Sequence, residues 1–173
     1  MQPIFENKTC LTEDLYLNGI KEYYKIGHKM SRVLTAAYAI VLLGCAAMFL
    51  YDLNFVLGIP FFVIGVLLIF WQIKGYLITS KKSFHQFALM HQSHYEVDID
   101  FRFYEGHMEQ ETEKTELAVE YKRISHLYNF PDVLLVVYDK KVIMMDKGSF
   151  IKGSTDEILG LMKQNKVKIH NCL

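Results

Sequence analysis

Three histidines, His85, His91 and His94, fall close together in the chain, and Glu96 and Asp98 come directly after them. His91 and His94, at i and i+3, would share one helix face, an arrangement in which two imidazoles can reach one metal ion. A metal centre also needs a third ligand and outer partners that hold the rings in place. The pattern supplies neither, so the expectation is histidines on a polar helix surface, with no metal and no other cofactor. The glycine-rich phosphate loop, HExxH and GxSxG are all missing from the sequence. Ser125-His126 and the scattered aspartates do not make a triad from sequence alone. The carboxylates between Tyr95 and Tyr121 alternate with apolar residues, as on the solvated face of a sheet. No enzyme is expected. Cys10, Cys45 and Cys172 are odd in number and widely spaced, which fits unpaired thiols in a reducing compartment rather than disulfides or zinc ligands.

The elements that must position any functional residue are dominated by two uncharged apolar stretches, Val33–Tyr51 and Phe55–Ile73, separated only by Asp52, Leu53 and Asn54. Each is 19 residues long. As helices they would each span about 28 Å, close to the hydrocarbon thickness of a bilayer. Neither contains a charged residue, which argues against ion or solute transport by this chain alone. Mostly polar residues precede the first stretch, without the short apolar core and cleavage site of a secretory signal. The first span is therefore expected to be a retained anchor.

Lys21, Lys25, Lys29 and Arg32 precede the hairpin, Lys74, Lys81 and Lys82 come after it, and the turn carries only Asp52. Basic flanks mark the cytoplasmic side. The expected protein is multi-pass in the plasma membrane, with both termini cytoplasmic and a very short external turn. Pro60 fits the first turn of a helix, so the second helix is expected from about Leu57–Gly58 to Ile78. Trp71 and Tyr76 would then lie at the inner interface, with Lys74 snorkelling. Ser31, Thr35 and Ala39 form a stripe of small residues for close packing.

The flanks divide the chain into an N-terminal short strand and amphipathic juxtamembrane helix (1–32), the hairpin (33–78), a helical connector (79–94) and a C-terminal domain (95–173). Ile4–Thr9 reads as the short strand. Thr12 caps the helix, Leu11 and Tyr16 are placed as a staple, and Tyr16, Ile20, Tyr23 and Tyr24 form its apolar stripe. After the connector, Val97, Ile99, Phe101 and Phe103 alternate with charged residues, the period of a half-buried strand. Further strands are expected over about His107–Glu113, Leu117–Tyr121, Ser125–Asn129, Val133–Tyr138 and Val142–Met145. Glu105-Gly106, Pro131-Asp132 and Asp139-Lys140 are the turns. Ser154 and Glu157 make a capping box ahead of Ile158, Leu159, Leu161 and Met162, which predicts a final helix burying Ile158, Leu159 and Met162. The fold class is thus a membrane helical hairpin plus α+β, the latter a PH-like antiparallel β-roll capped by a C-terminal helix.

The Leu11-Thr12-Glu13-Asp14 helix start, the paired spans, Tyr121-Lys122-Arg123-Ile124, Val133–Tyr138 and Gly148-Ser149-Phe150 together resemble the YcxB-like family of small bacterial membrane proteins. The resemblance covers nearly the whole chain. It implies a cytoplasmic PH-like domain and supplies no catalytic motif. PH domains that bind phosphoinositides carry basic residues around their first hairpin. Here that hairpin carries Glu105, Glu109 and Glu111 with Arg102 nearly alone, so a phosphoinositide site is not expected.

Formal net charge is zero, giving no bias toward nucleic acid. The charge is segregated, however: nine acidic residues and only Arg102 and Lys114 lie between Tyr95 and Tyr121. Glu105, Glu109, Glu111 and Glu113 form an acidic edge that could face a basic protein partner or a second copy of the chain, while the bilayer is the other expected partner. The function expected is a non-enzymatic interaction or self-assembly module. The alternatives are an envelope- or lipid-sensing protein, including immunity against membrane-active peptides, and an accessory subunit of a transporter. Reporter fusions at Met1 and after Leu173 should both read cytoplasmic; an external reading from either overturns the orientation.

Overall fold

The computed structural model describes residues 2–27, 29–91, 95–139 and 141–172. It divides into two compact units, Met1–Ile20 with Ser83–Leu173, and Lys21–Lys82. The two long helices that flank the hairpin, α1 (Glu13–Gly27) and α4 (Tyr76–Met90), each contribute to both units.

Among the described residues the first unit holds nine strands: β1 (Phe5–Thr12), β2 (Glu96–Phe103), β3 (His107–Glu111), β4 (Glu116–Glu120), β5 (Ile124–Asn129), β6 (Val133–Tyr138), β7 (Lys141–Asp146), β8 (Phe150–Lys152) and β9 (Lys168–Asn171). One sheet has the order β4-β3-β2-β1-β8, the other β7-β6-β5-β9. Alternation places Val97, Ile99, Phe101 and Phe103 of β2 inward, all buried. β6 reads Val-Leu-Leu-Val-Val-Tyr without a polar break and is buried throughout, as a central strand covered on both faces should be. Thr12 caps α1 as expected, its Oγ1 accepting from the Leu15 amide at 3.2 Å. Tyr16 of α1 then tilts against Phe84 of α4 at 5.5 Å between ring centres.

Ser154 caps the final helix, accepting from the Glu157 amide, and α5 runs Thr155–Gln164. Ile158 and Met162, one turn apart, are fully buried, whereas Leu159 is only half-buried. The buried stripe is therefore narrower than expected, because a ten-residue helix on a sheet presents only its i, i+4 line to the core.

A buried polar link joins the two sheets. The Asn7 amide donates to the Asp146 carbonyl at 2.7 Å, Thr9 Oγ1 donates to Asn7 Oδ1 at 2.6 Å, and the Asp146 amide donates back to Thr9 Oγ1 at 2.9 Å. Each of these groups is satisfied by another of them, which removes the desolvation cost of burying Asn7 and Thr9.

Several expectations are corrected. The N-terminal strand is Phe5–Thr12, not Ile4–Thr9, and pairs antiparallel with β2 along its whole length. Residues 1–20 are thus part of the sheet domain rather than of a separate segment, and the 95–173 piece lacks one of its strands. The connector is also divided, since Phe84 and Ala88 are fully buried in the sheet domain. α5 is not the last element: β9 comes after it and lies parallel to β5. There His170 Nε2 meets His126 Nδ1 at 3.1 Å and stacks on Tyr128. Burial, and then the neighbouring His126 and Lys168 charges, hold the His170 ring below the usual histidine range. Of the expected Asp139-Lys140 turn, Lys140 lies outside the described residues.

In the second unit, α2 (Lys29–Tyr51) and α3 (Phe55–Phe70) form the hairpin, and a π turn at Trp71–Gly75 joins α3 to α4. Helix Lys29–Tyr51 and the continuous helical run Phe55–Met90 are each long and apolar enough to cross a membrane, and only 11% of each apolar window is buried. Core helices of a soluble fold would be mostly covered. The helices meet through Ala39, Ala46, Gly58 and Gly65, all buried. A Cβ on Gly65 would lie 2.9 Å from the Leu43 side chain, and one on Gly58 2.8 Å from that of Leu50. Both positions need glycine for this approach. Of the expected Ser31, Thr35, Ala39 stripe, only Ala39 reaches the contact; Thr35 Oγ1 instead bonds the Ser31 carbonyl.

α3 starts earlier than expected because Asn54 caps it, accepting from the Leu57 amide at 3.4 Å. Pro60 therefore lies inside the helix rather than in its first turn.

Ile158→Ala and Met162→Ala should each destabilise the full-length protein by about 2–5 kcal/mol. Leu159→Ala, on a half-covered side chain, should cost clearly less. Thermal unfolding of the detergent-solubilised chain checks the order; equal effects at all three positions would contradict this placement of α5.

Candidate functional site

The hairpin unit carries a cleft of about 500 Å³ at the end opposite its turn. Each helix contributes one face of helical spacing. Lys21, Tyr24 and Lys25 come from α1, and Arg32, Ala36, Ala39 and Ile40 from α2. Ile69, Gln72, Ile73 and Tyr76 come from the second helix across its π turn. A π turn inserts one residue into the helical ladder and so rotates the residues beyond it; such turns concentrate at functional sites. Here it carries Gln72, whose Nε2 donates to the Arg32 carbonyl at 2.5 Å and ties the two spans together. Tyr76 beyond it stacks on Tyr24 at 4.8 Å. Lys25 pairs with Glu22 at 2.6 Å on a half-exposed surface. Among the described residues Arg32 Nε is buried with no hydrogen-bond partner, an uncommon and costly state for a charged donor.

The sheet domain carries the second feature. Register collects side chains far apart in sequence onto the outward face of the larger sheet. Across it run the rows Glu6–Arg102–Glu109–Ala118 and Lys8–Asp100–Glu111–Glu116, with Cys10 opposite Asp98, Thr12 opposite Glu96 and His107 opposite Glu120. Eight carboxylates thus share one face with Lys8 and Arg102. Arg102 reaches Glu111 at 2.7 Å, Lys8 reaches Asp100 at 3.9 Å, and Lys122 pairs with Glu120 at the margin. The Lys122 ammonium holds the Glu120 carboxyl below its usual range. Exposed pairs of this kind contribute little to stability, so the face remains strongly negative.

The sequence-selected acidic edge is only partly one surface. Glu109 and Glu111 lie on the sheet face, whereas Glu105 and Glu113 occupy the turns at opposite ends of β3. Among the basic flanks, Lys21, Lys25 and Arg32 line the cleft, while Lys29, Lys74, Lys81 and Lys82 are exposed elsewhere on their helices. The cleft is missing from the sequence reading because Gln72 and Arg32 come together only through the hairpin and its π turn. Of the histidines, His85 Nε2 lies 3.9 Å from the Glu13 carboxylate, and His91 is buried against Phe87. His94 lies outside the described residues. Among the described residues no three His, Cys, Asp or Glu side chains are grouped to hold a metal ion. No family model, no curated protein and no solved structure matches the chain.

The acidic face has a chemical signature at Cys10. Partial burial first, and then the Asp98 and Glu96 carboxylates, push its thiol up to about 11. Negative neighbours disfavour the thiolate, which is the reactive form. Site-resolved mass spectrometry should therefore find Cys10 alkylated by iodoacetamide at pH 8 about tenfold more slowly than a free thiol, or slower still. Glu96→Gln with Asp98→Asn should speed the reaction several-fold; an unchanged rate would show that the carboxylates do not govern it.

Proposed function

We propose that the chain is a YcxB-like integral membrane protein of the bacterial plasma membrane, with both termini cytoplasmic. Its PH-like domain acts as a non-enzymatic interaction or self-assembly module. The observation that carries this reading is the outward sheet face with its eight carboxylates. A face with so large an excess of one sign steers and selects an oppositely charged partner. The partner it fits is a protein surface rich in Lys and Arg. A second copy qualifies, because from Lys122 onward nine Lys/Arg outnumber five Asp/Glu.

The hairpin supports the membrane part of the reading through its length, its apolar surface and the basic residues on both flanks. The β1–β2 pairing supports it further, since strands before and after the hairpin can pair only when both flanks lie on one side of the bilayer.

Glu109→Lys, Glu111→Lys and Glu116→Lys together should abolish cross-linking of the protein to its partner, or to itself, in intact membranes. Membrane retention and thermal unfolding should stay as in the unmodified chain. Unchanged cross-linking by the triple variant would leave the carboxylates a solubilising role alone.

A further inference from the structure

We infer that the cleft at the base of the hairpin is a binding site for one anionic glycerophospholipid, whose headgroup phosphate is held by Lys21, Lys25 and Arg32. The site depends on the hairpin spanning a bilayer, as proposed above. Its chemistry is graded along the helix axis. Three cations stand at one end, and Ile40, eight residues beyond Arg32, lies about 12 Å deeper. Ile69 and Ile73 line the same cleft from the facing helix. A phosphate diester with acyl chains attached has this same polarity, charged at one end and hydrocarbon at the other. A free phosphate would use the cations and leave the apolar wall idle.

Two details point to a ligand rather than to basic residues that only set topology. Arg32 lines the cleft together with two lysines, and a phosphate oxygen is the acceptor a guanidinium fork fits best. The Gln72 amide fixes the Arg32 backbone, and the Tyr24–Tyr76 stack braces α1 against α4, so the site is held open by contacts that the lipid need not make. Lys25 is shared with Glu22, which leaves Lys21 and Arg32 as the main anchors. Basic pockets beside membrane helices on the cytoplasmic side are a recurrent means of holding anionic headgroups.

The test is native mass spectrometry of the full chain released from detergent micelles, titrated with phosphatidylglycerol or phosphatidylcholine. One phosphatidylglycerol should bind at least tenfold more tightly than phosphatidylcholine. Lys21→Gln with Arg32→Gln should weaken it roughly 25-fold, at about 1 kcal/mol for each cation near the surface. Ala36→Phe, which fills the cleft and leaves every charge in place, should also remove the bound lipid. Lys114→Gln with Lys163→Gln, equal in charge change but outside the cleft, should leave binding intact. Equal affinity for the two lipids, unaltered binding by the cleft variants, or displacement of the lipid by inorganic phosphate would each overturn the assignment. Carbonate extraction of membranes separates the two proposals: a chain released by carbonate refutes the membrane reading itself, whereas a retained chain without lipid selectivity refutes only the cleft.

Discussion

β1 hydrogen-bonds to β2 in unbroken register from Phe5 opposite Phe103 to Thr12 opposite Glu96. These strands lie on opposite sides of the hairpin in sequence, so the pairing closes a loop that contains both apolar helices. Loop closure costs entropy that grows only slowly with length, and eight paired residues with a buried inner face repay it. The rest of the sheet domain depends on this closure. β8 finds its place only against β1, and the Asn7–Thr9–Asp146 link crosses from β1 to the second sheet. Without β1 the larger sheet would lose its continuity between β2 and β8, and the second sheet its polar tie.

The hairpin obeys different physics. In the bilayer proposed for this hairpin no hydrophobic force would operate between apolar helices, and close packing would have to supply the cohesion. Ala39, Ala46, Gly58 and Gly65 provide it along the spans, and Phe49 stacks on Phe61 near the turn. At the other end a polar contact joins the spans, where Gln72 reaches the Arg32 carbonyl. The cleft opens there, as the α1 and α4 faces bring in lysines and tyrosines.

Much of this architecture was legible in the sequence because it rests on local periodicity. The two spans, the alternation through Val97–Phe103, the apolar run Val133–Tyr138 and the Ser154–Glu157 cap each announce their element within a few residues. The features that escaped are set by partners distant in sequence. Phe150–Lys152 is too short to show a period, and Lys168–Asn171 is polar, its strand state induced by parallel pairing with β5. The start of α3 turned on one side chain, Asn54, against the pull of Pro60. The acidic edge divides between sheet face and turns for the same reason. Sequence proximity joined Glu105 and Glu113 to Glu109 and Glu111, while register joins Glu6, Asp100 and Glu116 to that face instead. Lys21, Lys25 and Arg32 are visible as topology signals, but their common cavity needs the hairpin and the π turn of the second span.

The early position of β1 has a consequence for biosynthesis. Synthesis proceeds from the N-terminus, so Phe5–Thr12 leaves the ribosome before either apolar helix and well before its partner strand exists. Until Glu96–Phe103 emerges, it is an unpaired edge with Leu11 exposed, the kind of segment prone to wrong pairing. If the hairpin spans a membrane as proposed, its insertion must be complete, with both flanks in one compartment, before the sheet can close. On that reading folding of the domain would report on insertion, because a chain threading only one span would leave β1 and β2 on opposite sides, unable to pair.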